Sequence, residues 1–485
     1  MENLQVLEAL KSMFPKERII SDPQELPPYS VDRFLKFPDV FGVRTRPLPI
    51  CVIKVIDAQE VAAILQFCSQ NDVVVIPRTG ASSIEGGLEV INDRTIVVDG
   101  TLMNEILEID VYNMQVTAQC GVILEDLEQI LRPMGYTTGH SPQSKPLAQM
   151  GGLAATFSTG QFSTLYGGIE DMLVGCEAVF PNGQICRIKN FPRRAAGPDI
   201  RAIVIGNEGA LCFITEVTVK LFRFLPENSH ICSWVLNKGD MKTGFEILRE
   251  VMVEGYSPSM TRLYDKEDGQ YYFSHFCEGN PVLIFMTEGP KAISDVTYAA
   301  IEQIVSKYSV YKRVESSLIQ AWYAKLNWDP RKVEEERVEI KKAHNVGFTT
   351  EIAANWSAIH DIYEACVRRI KAEVPDLTLM GGHASHCYSN GTNIYFMYYY
   401  NVVDCKPEDE IYKYHDPINS IIVEETLKRG GSMCHHHGVG KHRTQWIKEE
   451  YGSSWYMLKS LKEIFDPHNI MNRGTIWPVH MEIEP

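Results

Sequence analysis

The stretch PRTGASSIEGGLE, residues 77–89, directly follows the apolar run VVVI of residues 73–76. Its glycines and small hydroxyl residues let backbone N–H groups approach a bound anion closely. A Rossmann loop would open a helix at this point. The chain instead continues to another apolar strand, TIVVDG at residues 95–100. The stretch therefore predicts a loop between two strands that binds phosphate through a nest of amides, although most glycine-rich turns are only turns.

Two further regions of small residues lie downstream. Residues 139–168 are polar and turn-rich but carry few charges, and a segment of this kind is costly to order unless it wraps something. Residues 205–222, IGNEGALCFITEVTVKLF, form a glycine turn that enters a strand of alternating apolar and polar residues. Together with the first loop, these regions predict a large phosphate-bearing cofactor.

Outside these loops the chain predicts further strands and helices, which alternate from Pro226 onward in what we interpret as a second domain of the α+β class. Residues 50–77 predict a strand, a helix and a second strand. The apolar residues of the middle segment recur at the spacing of one helix face: Val61, Ile64, Leu65 and Cys68. Residues 356–370 predict an amphipathic helix, and residues 392–403 predict a strand rich in aromatic residues.

The length of 485 residues predicts two or three domains. The character of the sequence changes near Pro226 and again after residue 426. We therefore predict an N-terminal helical lead-in and arm at residues 1–44, a first domain at 45–225, a second α+β domain at 226–426, and a segment at 427–485 that returns to the first domain.

The net charge of -15 argues against a nucleic-acid partner and against anionic membrane surfaces, although it permits a local basic pocket. The N-terminal residues have no cationic segment typical of a signal peptide, and the most apolar stretch, residues 394–403, is too short to span a bilayer. The 12 cysteines form no CxxC pair, so we expect them to be reduced. These features predict a cytoplasmic protein with no membrane span, and we expect a homodimer.

The stretch CHHHGVGK, residues 434–441, contains three consecutive histidines and a glycine turn. Imidazole titrates near neutral pH, so the run could supply a general base, a metal site or an anion pocket, or form a packed polar turn. His383 and His386 are spaced three apart, as some metal ligands are, but no acidic residue lies close by in sequence. A metal is therefore not favoured there.

Three of these stretches, PRTGASS, IGNEGALCFIT and HHHGVGKHRTQW, resemble the FAD-linked oxidases of the vanillyl-alcohol oxidase superfamily. The resemblance covers nearly the whole chain. It is strongest to the branch of alkyldihydroxyacetonephosphate synthase and the D-2-hydroxyacid dehydrogenases of the glycolate oxidase type, and to uncharacterised bacterial FAD-linked oxidoreductases. It implies an FAD-binding domain of the PCMH type with two α+β subdomains, a ferredoxin-like α+β cap that binds the substrate, and a C-terminal segment that closes the site.

The resemblance also implies which residues bind FAD. The pyrophosphate would lie on the first loop, the second region would wrap the flavin, and the third would contact the adenosine and isoalloxazine portions. The residues expected to bind FAD are Pro77, Arg78, Thr79, Gly80, Ala81, Ser82, Ser83, Pro142, Gln143, Ser144, Gln149, Gly151, Gly152, Thr156, Ser158, Thr159, Glu208, Gly209 and Ile214.

The catalytic residues implied by the resemblance are Tyr395, His435, His436 and His437, and the substrate-binding residues are Arg262, Arg337 and His386. The two arginines would bind the substrate's anionic group. His437 is the expected acceptor of a hydroxyl proton, and Tyr395 would orient or relay that proton.

Two departures from the family pattern matter. Hydroxyacid dehydrogenases of this superfamily bind a divalent metal through two histidines and a glutamate. Here only His386 keeps its place, while Asn393 and His436 stand at the other two positions, so we expect no metal. Relatives with covalently bound flavin carry a histidine where this chain has Ser82, so we expect FAD to be bound non-covalently.

These inferences predict an FAD-dependent dehydrogenase that oxidises the carbinol of a small anionic hydroxy compound: a 2-hydroxy acid, a sugar acid or a polyol phosphate. Its electrons would pass to a protein or quinone acceptor, such as an electron-transfer flavoprotein. The alternative is ether-bond formation like that of alkyldihydroxyacetonephosphate synthase, without net oxidation. A flavoprotein that only binds a partner is disfavoured by the dense histidine cluster.

Overall fold

The computed structural model describes residues 1–33, 40–41 and 46–479. The predicted boundary between residues 44 and 45 lies outside these ranges. Within them, no helix is both long and apolar enough to cross a bilayer.

The strands, in chain order, are β1 (Ile19–Ile20), β2 (Cys51–Lys54), β3 (Val74–Arg78), β4 (Thr95–Asp99), β5 (Ile106–Asp110), β6 (Gln115–Gln119), β7 (Tyr136–Thr137), β8 (Leu173–Val179), β9 (Ile185–Ile188), β10 (Phe213–Lys220), β11 (Phe222–Arg223), β12 (His230–Val235), β13 (Met260–Tyr264), β14 (Val282–Thr287), β15 (Lys312–Val314), β16 (Asn345–Asn355), β17 (Leu377–Ala384) and β18 (Gly391–Asn401).

The α-helices are α1 (Asn3–Met13), α2 (Ala58–Asn71), α3 (Leu124–Leu131), α4 (Met150–Ala155), α5 (Ser163–Tyr166), α6 (Ile169–Met172), α7 (Arg201–Val204), α8 (Met241–Val253), α9 (Lys266–Phe273), α10 (Lys291–Ser306), α11 (Ser316–Tyr323), α12 (Pro330–Ala343), α13 (Trp356–Glu373), α14 (Asp416–Leu427), α15 (Ile447–Tyr451) and α16 (Trp455–Phe465).

The first sheet has the strand order β1-β2-β4-β3, with β2, β4 and β3 parallel and β1 antiparallel at the edge. The crossover helix α2 begins where the Asp57 side chain accepts a hydrogen bond from the Glu60 N–H at 2.8 Å. Its predicted apolar stripe is buried against the sheet. The order β2, α2, β3 confirms the predicted strand, helix and strand. The first glycine-rich loop begins at the carboxyl end of β3.

The second sheet is antiparallel, with the order β5-β6-β10-β8-β9. Strand β8 is buried along all seven residues, LVGCEAV, and helices α2 and α7 contact it. Strand β10 begins four residues after Gly209, and the glycine turn therefore enters this strand as the sequence predicts.

The third sheet is antiparallel and has the order β15-β12-β14-β13-β17-β18-β16. Helix α13 buries one face, formed by Ile359, Ile362, Tyr363, Cys366 and Ile370, against this sheet. These residues are the apolar stripe that the sequence predicts, and the α+β fold class is confirmed. The other predicted domain boundaries remain predictions.

The C-terminal segment packs against the first sheet. The Val75 N–H donates to the Ile470 carbonyl, and the Asn472 N–H donates to the Val75 carbonyl, both at 2.8 Å. Buried Lys462 donates to the carbonyls of Ala210 and Met471 and to the Asp466 carboxylate. These bonds fix the segment that carries the histidine run beside the loop that follows β3.

Candidate active site

One cavity brings together the three small-residue regions, strands of the third sheet and the histidine run. Every residue predicted to bind FAD lines it, from Pro77 in the first loop to Ile214 in the third region. Arg262, His386, Tyr395, His436 and His437 line it as well. Segments far apart in sequence therefore form one site.

The first loop presents unpaired amides to the cavity. Within the described ranges, the backbone N–H groups of residues 80–83 donate no hydrogen bond to another residue. The loop conformation is fixed from outside: Arg78 donates to the carbonyls of Val31 and Pro28, and the Ser83 hydroxyl donates to Asp32 at 3.0 Å. A row of fixed, unpaired N–H groups fits the oxygens of a diphosphate.

Glycine is required where the first and second regions touch. A Cβ atom at Gly80 would lie 2.5 Å from the Leu147 carbonyl oxygen and 2.9 Å from the Gln149 nitrogen. At Gly151 a Cβ would lie 2.5 Å from the Cys120 Cβ. These backbones meet without side chains between them, which leaves the cavity open to a large planar ligand.

Two buried amide oxygens in the second region have no hydrogen-bond partner among the residues that the structure describes. They are Oε1 of Gln149 and Oε1 of Gln161, and both residues line the cavity. A buried acceptor without a donor costs free energy, so these atoms favour a ligand that carries N–H groups. With the free amides of the first loop, they fit the diphosphate and the flavin ring of FAD.

Glu351, on β16, fixes the backbone of the histidine run. It is fully buried, and its carboxylate accepts the N–H groups of His435 at 2.7 Å, His436 at 3.2 Å and His437 at 2.8 Å. Burial opposes ionisation, but the cationic and N–H groups around it hold the pKa of the Glu351 carboxyl below the usual range. The sequence analysis missed this residue, because nothing near it in sequence marks it.

Arg443 connects Glu351 to the first loop. Its guanidinium is fully buried and donates to both carboxylate oxygens of Glu85, at 2.7 Å and 3.1 Å. It also donates to the carbonyls of Glu351 at 3.0 Å and Met433 at 2.8 Å. Arg443 lies inside the motif HHHGVGKHRTQW, but its role becomes visible only in the structure.

Glu208, predicted to bind the cofactor, has a second role. Its carboxylate accepts the N–H groups of Val439 at 2.7 Å and Gly440 at 2.8 Å, just after the histidine run. The third small-residue region therefore fixes the glycine turn of the C-terminal segment while it lines the cavity.

The histidine side chains do not point the same way. His436 and His437 line the cavity, whereas His435 lies behind His436 and outside the cavity lining. The Tyr395 hydroxyl lies 2.6 Å from Nε2 of His436. His437 has no hydrogen bond at Nδ1, which lies 3.7 Å from the nearer Glu351 oxygen. The run thus supplies two rings to the cavity lining.

Burial keeps these imidazoles uncharged. It lowers the pKa of His435 and His436 to about 3 and that of His437 to about 4. At neutral pH each ring therefore carries one N–H and one free lone pair. A ring with so low a pKa accepts a proton at one nitrogen only while it gives up the proton of the other.

Arg337 does not reach the cavity. It lies on α12, where its side chain is 42% exposed and forms an ion pair with Glu334 at 3.5 Å. The expectation that Arg337 binds the substrate is therefore corrected, since the acidic and basic run around it forms a solvated helix face. His386 does line the cavity, with Nδ1 2.7 Å from the Ser163 hydroxyl.

Glu351, His435 and His436 are the one group within the described ranges whose ligand atoms approach closely enough to suggest a metal. Their geometry does not fit one. The two Nδ1 atoms lie 2.7 Å apart, whereas two imidazole nitrogens bound to one tetrahedral zinc at about 2.0 to 2.1 Å lie about 3.3 Å apart. The Glu351 carboxylate already accepts three backbone N–H groups. We derive no chemistry through a metal.

The fold and this cavity define a flavoprotein oxidoreductase. Residues 49–189 match the family model of an FAD binding domain, and residues 227–476 match that of the C-terminal domain of FAD linked oxidases. The Escherichia coli protein named uncharacterized FAD-linked oxidoreductase YgcU is 58% identical over 477 residues, 98% of each chain. This chain belongs to the FAD-linked oxidase family, and its cofactor is FAD.

More distant relatives have different activities in their names. Alkyldihydroxyacetonephosphate synthase of Caenorhabditis elegans is 27% identical, with 87% of this chain and 75% of that protein covered. Mitochondrial D-lactate dehydrogenase [cytochrome] of Arabidopsis thaliana is 25% identical, with 90% and 74% covered. Among solved structures, 4-ethylphenol oxidase from Gulosibacter chungangensis is 14% identical with a TM-score of 0.78, covering 98% of this chain and 97% of that one. The last likeness concerns the fold alone.

We predict that FAD is released by acid precipitation. The resemblance places a histidine of covalently flavinylated relatives where this chain has Ser82, so we expect its contacts with FAD to be hydrogen bonds. The purified protein should give a yellow supernatant and a colourless pellet in trichloroacetic acid. Flavin that stays with the pellet would contradict this prediction.

We predict that Arg443→Met lowers the free energy of unfolding by about 3 to 5 kcal/mol, because Glu85 is left buried without its partner. Adding Glu85→Gln should recover part of that loss, since the unpaired charge is then removed. Urea unfolding followed by circular dichroism measures both. The matched control is Arg331→Met, at an arginine that is 86% exposed, which should change stability by less than about 0.5 kcal/mol. Strictly additive effects at Arg443 and Glu85 would show that the pair does not interact.

Proposed function

We propose that the protein is an FAD-dependent dehydrogenase that oxidises the carbinol carbon of a small hydroxy compound carrying a carboxylate or phosphate. When bound, FAD supplies the acceptor for the hydride that leaves this carbon. The observation that carries the proposal is a buried arginine in the cavity with no anionic partner. The neutral imidazoles and the tyrosine nearby supply the proton chemistry.

Arg262 is the arginine in question. It lies on β13, lines the cavity and is only 3% exposed. Within the described ranges its side chain has no ion pair or hydrogen bond, and its Nε is buried without a partner. A buried charge without a counter-ion is expensive. An anionic group on the substrate would remove that cost and would accept two parallel hydrogen bonds from the guanidinium.

The hydroxyl proton passes to Tyr395 and His436. The sequence analysis favoured His437 as the acceptor, but Tyr395 is hydrogen-bonded to His436, and both residues line the cavity. Burial raises the pKa of the Tyr395 phenol, so it keeps its own proton until His436 takes it. The pair therefore accepts the substrate's proton as hydride departs, a role typical of general bases. His437 borders the same space and helps to exclude water.

An electron acceptor, a protein or a quinone, must then reoxidise the flavin. An electron-transfer flavoprotein is one such acceptor. The cytoplasm as compartment and the homodimer remain predictions from the sequence.

A second candidate, ether-bond formation as in the alkyldihydroxyacetonephosphate synthases, is favoured by a second cavity. This cavity adjoins the first, and both are lined by Ile84, Tyr272, Leu326, Trp328 and Met397. The rest of its lining mixes apolar residues such as Leu318, Trp322 and Ile340 with charged ones such as Lys325, Lys332 and Glu336, and it would give a longer substituent room beside the site. Product analysis distinguishes the candidates: a dehydrogenase yields a ketone and reduced flavin, whereas a synthase exchanges one substituent for another without net oxidation.

We predict that one class in a panel of hydroxy acids, sugar acids and polyol phosphates bleaches the flavin anaerobically. Arg262→Met should raise the half-saturating concentration of that compound by at least about 30-fold, because a desolvated ion pair contributes about 2 kcal/mol or more. The half-saturating concentration for Arg262→Lys should lie between the values for the wild type and for Arg262→Met. An uncharged alcohol of the same carbon skeleton should respond weakly to the substitution. Equal losses with charged and uncharged compounds would contradict the assignment of Arg262.

We predict that the rate constant of flavin reduction stays flat from pH 8 down to about pH 5. Burial lowers the pKa of His436 to about 3, so this ring stays neutral and able to accept a proton over that whole range. Stopped-flow reduction at saturating substrate measures it. A fall in rate with an apparent pKa near 6.5 would instead indicate a solvated histidine as the base.

A further inference from the structure

We propose that His436, His435 and Tyr388 form a path that carries the substrate's proton from Tyr395 to the protein surface. Nε2 of His436 lies 2.6 Å from the Tyr395 hydroxyl, and its Nδ1 lies 2.7 Å from Nδ1 of His435. Nε2 of His435 lies 2.7 Å from the Tyr388 hydroxyl. The inference rests on the proposed dehydrogenase function, because such an oxidation releases a proton that has to leave a buried site.

The hydrogen bonds from Tyr395 to Tyr388 form an unbroken series, and at any moment all of them donate in the same direction. Each neutral imidazole has one N–H and one lone pair, and each ring here has a partner at both nitrogens. If the Tyr395 hydroxyl donates to His436, then His436 must donate through Nδ1 to His435. His435 must then donate through Nε2 to the Tyr388 oxygen. Shifting every proton by one position moves one proton from the inner end to the outer end.

The outer end reaches solvent. Tyr388 is 37% exposed and lies between β17 and β18. The exposed carboxylates of Glu170 and Asp171 are close enough to act, together with burial, in raising the pKa of the Tyr388 phenol. Tyr388 therefore remains protonated and passes a proton on, and these carboxylates are acceptors near the exit.

Neighbouring groups fix the orientation of the His435 and His436 rings. The ring of His386 stacks on that of His435 at 5.1 Å with an interplanar angle of 12°, and it meets the ring of His436 edge-on at 4.9 Å. Glu351 fixes the backbone N–H groups of both histidines.

Bound FAD would accept the carbinol hydride with its two electrons, and the substrate's O–H bond breaks as that hydride leaves. Tyr395 receives that proton and gives its own to Nε2 of His436. His436 passes its Nδ1 proton to Nδ1 of His435. His435 passes its Nε2 proton to Tyr388, whose hydroxyl proton goes to water. The path itself gains no charge.

The kinetic test uses Tyr388→Phe, which keeps the ring and removes the outer hydroxyl. With a compound that reduces the wild-type flavin, we expect the reduction rate constant to fall by at least about 10-fold. The solvent deuterium isotope effect should change, and added imidazole buffer should restore part of the rate. FAD content and half-saturation should stay unchanged. The matched control, Tyr112→Phe at a tyrosine that is 93% exposed, should behave as wild type.

A second measurement needs no substrate. Nuclear magnetic resonance of the holoprotein labelled with ¹⁵N-histidine should show one protonated nitrogen per ring and a scalar coupling between Nδ1 of His435 and Nδ1 of His436. The protonation pattern of His435 should change in Tyr388→Phe. Doubly protonated rings would overturn the proposal, as would metal-shifted signals with an equimolar divalent ion by elemental analysis.

The outcomes separate the two proposals. If the substrate reduces the flavin of Tyr388→Phe at the wild-type rate with an unchanged isotope effect, the proposed proton path is wrong and the proposed dehydrogenase function stands. If no hydroxy compound reduces the wild-type flavin, the dehydrogenase is wrong, and the coupling between the two rings decides whether the hydrogen-bonded path exists.

Discussion

The buried ion pair between Arg443 and Glu85 is the interaction on which the site depends. Glu85 lies in the first glycine-rich loop, and Arg443 follows the histidine run. The same guanidinium donates to the carbonyl of Glu351, whose carboxylate fixes that run. One planar cation thus joins the FAD-binding loop, a strand of the third sheet and the C-terminal segment. Arginine suits this position because its fork of donors serves several acceptors at once and stays charged when buried.

Near this ion pair the buried arginines are charged, whereas the buried imidazoles are neutral. Arg443 has carboxylate partners, whereas Arg262 faces the cavity without one. Between them lie imidazoles that burial holds neutral. A substrate anion would meet a fixed positive charge, and its hydroxyl would meet rings that are free to accept a proton. A protonated imidazole next to Arg262 could not do this, since both charges would be buried and would repel each other.

The sequence predicted the FAD site more fully than the chemistry beside it. The cofactor loops depend on local composition: glycine where backbones touch, as at Gly80, and small residues where amides must stay open. Those features are visible in a one-dimensional pattern, and every residue predicted for FAD lines the cavity. The polar framework was not predictable in this way. Glu351 lies in a strand with no sequence motif around it. Arg337 looks no different in sequence from Arg262, yet of these two only Arg262 lies on a strand that borders the cavity.

By itself the sequence determined the strands and helices of short segments, the three small-residue loops and the histidine run as a chemical centre, because each of these follows from composition or spacing within a short segment, and the resemblance to a known family assigned the loops to FAD and the fold to the α+β class. Only the tertiary structure decided which histidine faces the cavity and which one leads outward to Tyr388. It also decided which arginine lacks a partner. The reason is physical: hydrogen bonds and burial act between groups that are close in space. Tyr388 and His435 are 47 positions apart in the chain, and Glu85 and Arg443 are 358 apart.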